Sequence, residues 1–92
     1  MMYIGIDPGV SGGIVALRED GSVIFAAKMP DTDRDLFAVL EAVSQLNTVG
    51  AERSHATLEK VASSPQMGVV SAFTFGRGVG AIKMALAALA IP

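Results

Sequence analysis

Two carboxylates far apart in the sequence are the residues best placed to do chemistry. Asp7 ends a short apolar run and is followed by Pro8-Gly9, and Glu59 sits within the stretch HATLEKV. Two converging carboxylates with no Arg or Lys between them repel each other. A hard divalent cation such as Mg²⁺ relieves that repulsion, because it accepts a few carboxylate oxygens together with water and phosphate. Two such ions about 3.5–4 Å apart can activate a water and stabilise a leaving oxygen in phosphodiester cleavage. Taken singly, each acid has a plainer reading. Asp7 is then a turn residue, and Glu59 is a solvent-facing edge residue beside Lys60.

The elements around these acids decide whether they meet. Residues 3–7 read as a strand closed by a Pro-Gly turn. Residues 13–18 read as a second strand. Asp20-Gly21 is a strong hairpin signal, of the kind that favours a type I′ turn, so residues 22–28 form a third strand antiparallel to the second. Thr32-Asp33-Arg34-Asp35 has the spacing of a capping box. Leu36, Val39, Leu40, Val43 and Leu46 then recur at helical spacing, and residues 47–50 end the helix. Residues 55–61 read as a fourth strand. A strand–helix–strand crossover is right-handed and makes that strand parallel to an earlier one, with the first strand the natural neighbour. The ends of strands one and four then share one edge of the sheet, where ligands bind in open α/β sheets. Residues 62–68 form a loop, and a helix runs over 71–90 with Ser71 as its N-cap.

Bulk properties narrow the classes. The chain has 92 residues and a formal net charge of -2, and is 51% hydrophobic but only 17% charged. The length suits one small domain or part of one, and the apolar excess suggests strands buried on both faces, a missing portion or a partner surface. The charge argues against a broad basic nucleic-acid surface, though not against a local cation-holding site. There is no cysteine, which excludes disulfides and thiolate metal sites. No uninterrupted apolar run reaches the roughly 18 residues of a membrane span, and the N-terminus lacks a signal-peptide pattern. A cytoplasmic protein without membrane association is expected.

Other motifs are weaker. His55 lies roughly 13 Å from Glu59 along an extended strand, toward the wrong end of the sheet for metal binding, and reads as structural. The string GRGVG at Gly76 does not follow a strand and lacks the spacing of a phosphate loop. Gly76, Gly78 and Gly80 each weaken a helix by up to about 1 kcal/mol relative to Ala. They make sense if the helix packs closely on the sheet, or on a second subunit along the small-residue line Ala72, Gly76 and Gly80.

The strings MYIGIDPGVSGGIVAL, ATLEKV and SAFTFGRGVGAIKMALAALAIP, in this order over nearly the whole chain, resemble the RuvC family of Holliday junction resolvases, in particular its compact phage and prophage forms. That family belongs to the ribonuclease H-like superfamily. The resemblance implies an α/β fold with a mixed sheet of strand order 3-2-1-4-5. It implies a Mg²⁺ or Mn²⁺ site with Asp7 and Glu59 as its first two catalytic ligands, and hydrolysis of branched DNA by a homodimer. It places Lys60, Ser63, Ser64, Gln66 and Arg77 where such proteins contact the junction, and Ala72, Gly76, Gly80 and Lys83 along the dimer interface. Such sites are completed by further acids, or a His, on a helix after a fifth strand, whereas no Asp, Glu or His follows Glu59 here. The expectation is therefore a single, incomplete ribonuclease H-like domain over 1–92, stopping before the fifth strand, with little or no nuclease activity alone. Two alternatives stand beside it. One is a DNA-binding or dimerisation module without chemistry. The other is a fragment of an actin-like kinase or ATPase, whose first phosphate loop the strand-Asp-x-Gly turn and hairpin also resemble.

Overall fold

The computed structural model describes residues 1–46, 54–59 and 68–92. Its elements run β1 (Met2–Asp7), β2 (Gly13–Arg18), β3 (Val23–Lys28), α1 (Asp33–Gln45), β4 (Ser54–Leu58) and α2 (Val69–Ala88). The strands form one sheet in the order β3-β2-β1-β4. The pairs β1–β2 and β2–β3 are antiparallel, and β1–β4 is parallel. The meander, the crossover and the neighbours of β1 are as the sequence implies.

The alternation of β1 sorts the two faces of the sheet. Met2, Ile4 and Ile6 are buried and point toward the helices, as do Ile14 and Ala16 of β2. They meet Leu36, Leu40 and Val43 of α1, Ile82 and Ala85 of α2, and Ile91. This layer is the core, and burying its side chains supplies the main favourable term in folding. The opposite face carries Tyr3, Gly5 and Asp7 from β1, Val15 and Leu17 from β2, and His55, Thr57 and Glu59 from the β4 segment. No helix among the described residues lies over it.

Local signals account for most boundaries. Thr32 caps α1: its Oγ1 accepts a hydrogen bond from the Asp35 amide at 3.1 Å, and its carbonyl accepts one from Leu36 at 2.9 Å. Asp33 and Asp35 lie in the first turn, where negative charge suits the helix dipole. The helix ends on Leu46, and the expected terminator at 47–50 lies outside the described residues. At the end of the chain the Ala56 amide, on the edge of β4 away from β1, donates to the Pro92 carbonyl at 2.8 Å.

Four expectations need correction. The Asp20-Gly21 hairpin forms without a type I′ turn. Only Gly21 has positive φ. The Gly21 amide donates to Arg18, and the Arg18 amide to Ser22, the pattern of a three-residue loop with a left-handed glycine. Asp20 instead accepts from the Ser22 amide at 2.8 Å, which holds the loop without needing positive φ at Asp20. Second, β4 spans Ser54–Leu58, so Glu59 follows the strand rather than lying within it, although its amide still donates to the Ile6 carbonyl at 3.1 Å. Third, α2 begins at Val69 with Gly68 as N-cap. The Gly68 carbonyl accepts from Ala72 at 2.8 Å, so Ser71 sits inside the helix.

The fourth correction concerns the glycines of α2. A side chain at Gly76, Gly78 or Gly80 would meet nothing within 4 Å, so they make no close contact with the sheet. The inward face is built from Ile82, Ala85, Leu86 and Leu89. These bulkier residues recur at helical spacing, bury more apolar area, and so determine how the helix turns. Gly76 and Gly80 are left on the exposed side with Val69, Phe73 and Met84. Although no uninterrupted apolar run reaches the roughly 18 residues of a span, α2 is by length and composition alone long and apolar enough to cross a membrane.

Candidate metal and phosphate site

Asp7 is the last residue of β1, and it projects to the open face of the sheet. The turn that follows is shaped around it. Gly9 has a φ of +124°, a conformation other residues rarely adopt, and the Gly12 amide donates to the Gly9 carbonyl at 3.0 Å. A Cβ on Gly12 would collide with the Asp7 carbonyl, so only glycine lets the returning chain pass this close. The Gly12 carbonyl in turn accepts from Met29 at 3.0 Å, which ties the end of β3 to the same turn.

Glu59 reaches this place through the parallel pairing. Ile6 is in register with Leu58, so Glu59 extends the ladder beside Asp7 on the same face. The two carboxyl groups interact directly. Glu59 loses its proton at higher pH than an ordinary glutamate, first because its carboxyl hydrogen bonds to Asp7, then because of the Asp7 charge, with a small contribution from burial. Both side chains are exposed. The convergence expected from the sequence is therefore present. Among the described residues no third His, Cys, Asp or Glu joins them.

The pair suits a hard divalent cation. Its donors are all carboxylate oxygens, it is open to water, and the repulsion between the two negative charges is relieved when a cation binds between them. Mg²⁺ is commonly held by one or two carboxylates with water and substrate phosphate completing its shell.

The other candidate residues divide. Lys60, Ser63, Ser64 and Gln66 lie outside the described residues. Arg77 is exposed on α2 and paired to Asp33 of α1, with Nη2 2.7 Å from Oδ2 and Nη1 3.4 Å from Oδ1. It lines a groove of about 420 Å³ with Gly9, Thr32, Phe75 and Gly78. Lys83 is exposed and Ala72 half-buried. His55 is in register with Tyr3, at the far end of β4 from Glu59. Lys28 lines the open surface with Asp7 and Glu59 and was no sequence candidate. Its place at the end of β3, level with the end of β1, is the signal that would have found it.

No family model matches the chain, and no curated protein matches it. Solved structures do. The chain aligns over its full length with T. thermophilus RuvC in complex with a Holliday junction substrate, at a TM-score of 0.60 and 18% identity. A second structure, of Thermus thermophilus RuvC, aligns over the same span at a TM-score of 0.43 and 19% identity. The chain spans 61% of the length of each. The first likeness establishes the fold as the RuvC-like, ribonuclease H-like one.

Proposed function

We propose that this chain is part of a RuvC-like endonuclease that hydrolyses phosphodiesters of branched DNA with Mg²⁺ or Mn²⁺, with Asp7 and Glu59 as metal ligands. The observation that carries the reading is the pairing of these two acids at one sheet edge in a RuvC-like fold. A bound divalent ion would supply Lewis acidity, polarising the phosphate and lowering the pKa of a water. The chain's own residues have narrower tasks. Asp7 and Glu59 hold positive charge at the end of β1, and the glycine turn keeps the approach clear. A cation competes with the proton at Glu59, which leaves at higher pH than from an ordinary glutamate, so affinity for the ion rises with pH through that range.

The finer parts of the proposal follow from the sequence resemblance. The protein is of the phage and prophage type and is dimeric through α2. With two carboxylates at the site among the described residues, it holds its ion weakly and cuts DNA little or not at all by itself. The lack of a third ligand among the described residues also favours a second reading, a DNA-binding or dimerisation module without chemistry.

Junction binding tests the common part. The 92-residue chain is titrated against a labelled four-way junction and a linear duplex of the same sequence in Ca²⁺, with ATP in a parallel titration. Preference for the junction is expected. Equal affinity for both DNAs, or binding of ATP alone, contradicts the proposal. In Mg²⁺, cleavage that survives both Asp7→Asn and Glu59→Gln contradicts the metal assignment.

A further inference from the structure

The residues at the upper edge of the sheet form one row. Asp7 is in register with Gly13, and Gly13 with Lys28. Residues directly opposite in antiparallel strands share a face, and Glu59 follows the residue paired with Ile6. The row across the sheet therefore reads Glu59, Asp7, Gly13, Lys28, on the face that no helix among the described residues covers. Two acids stand at one side, a base at the other, and a residue without a side chain between them.

The gap at Gly13 is enforced. A Cβ there would lie 2.9 Å from the Ala27 carbonyl, closer than real Cβ atoms come, so β2 passes β3 only with glycine. The interval from Asp7 to Lys28 is two strand spacings, about 10 Å between Cα positions. The four-carbon stem of Lys28 can cross much of it over a bare stretch of strand. Lys28 is exposed. It is the one basic side chain among the described residues lining this surface, and among the described residues it forms no ion pair.

We infer that Lys28 binds a DNA phosphate beside the carboxylate pair. An ammonium is a compact point charge with three donors, well suited to phosphate oxygens. At this surface it offsets the repulsion that Asp7 and Glu59 exert on an approaching polyanion. It also gives the DNA a direction: the strand crosses the row from the acids, over Gly13, to Lys28. This assignment rests on the proposed function and adds a phosphate contact on β3.

The test is junction binding by the 92-residue chain in Ca²⁺, read by fluorescence anisotropy between 50 and 200 mM salt, on the order of the range in which phosphate contacts are resolved. Lys28→Ala is expected to weaken binding several-fold and to lower the slope of log K against log salt by about 0.9, the value of one phosphate contact. Lys28→Arg should restore the slope. Arg18→Ala, at the opposite end of the sheet beside Met2, should leave it unchanged. A wild-type slope and affinity for Lys28→Ala, with intact junction binding by the parent chain, overturns the assignment while the proposed function stands. So does a result in which Lys28→Ala shifts the Glu59 titration by NMR without changing the slope, which makes Lys28 a counter-ion only. If the parent chain binds no junction, both fall together.

Discussion

Glu59 loses its proton at higher pH than an ordinary glutamate because Asp7 hydrogen bonds to its carboxyl and repels its charge. The sign of the pH dependence follows. The folded chain favours the protonated form, so the stability this group contributes is fully present below the ordinary glutamate range and is lost as pH rises through the raised value. Thermal unfolding followed against pH should show that decline, and Asp7→Asn should flatten it and return Glu59 to the ordinary range. An unchanged profile would mean that the two carboxyls are not coupled. Gly12 offers a second test at this scale. Gly12→Ala drives a methyl into the Asp7 carbonyl and should destabilise the fold by about 1–3 kcal/mol, measured by urea denaturation. Asp7 before Pro-Gly was legible from residue order, because a polar residue ending an apolar run is conspicuous. Lys28 was not, since its meaning depends on a register that a local reading does not count.

At the scale of elements, β1 and β4 place the acids and α1 fixes the crossover between them. Leu40 is fully buried in the layer where α1 meets the sheet, and Leu40→Ala should cost about 2–5 kcal/mol. Thr32→Ala removes the side-chain cap of α1 and should cost about 1 kcal/mol. Both are read from unfolding midpoints, and a neutral Leu40→Ala would contradict the assigned core. The three-strand meander and α1 were legible because turn chemistry and helical periodicity are local. The orientation of α2 was not. Its sequence is apolar on every side, so small-residue spacing suggested one inward face, whereas the bulk of Ile82, Leu86 and Leu89 selected another. The hairpin turn shows the same limit: Asp20-Gly21 marks where the chain reverses, but the Asp20–Ser22 hydrogen bond sets how it does so.

Among the described residues the molecule is a sheet with helices on one face and a row of charged residues on the other. Among the described residues α2 carries a group of exposed apolar side chains, with Val69, Val70, Phe73 and Met84 86, 78, 75 and 68% exposed. If this face mediates the proposed dimer, Phe73→Asp should shift sedimentation toward the monomer while leaving the fold intact. The order of the sheet was legible because crossovers are right-handed and consecutive strands pair. The likeness to RuvC at 18% identity extends to fold and no further, so the chemistry rests on Asp7 and Glu59. Mn²⁺ binding, followed by the electron paramagnetic resonance of the free ion, tests that claim most directly. Binding by the parent chain that strengthens as pH rises, and that is lost in both Asp7→Asn and Glu59→Gln, is the predicted result; equal Mn²⁺ uptake by the parent and both variants would contradict it.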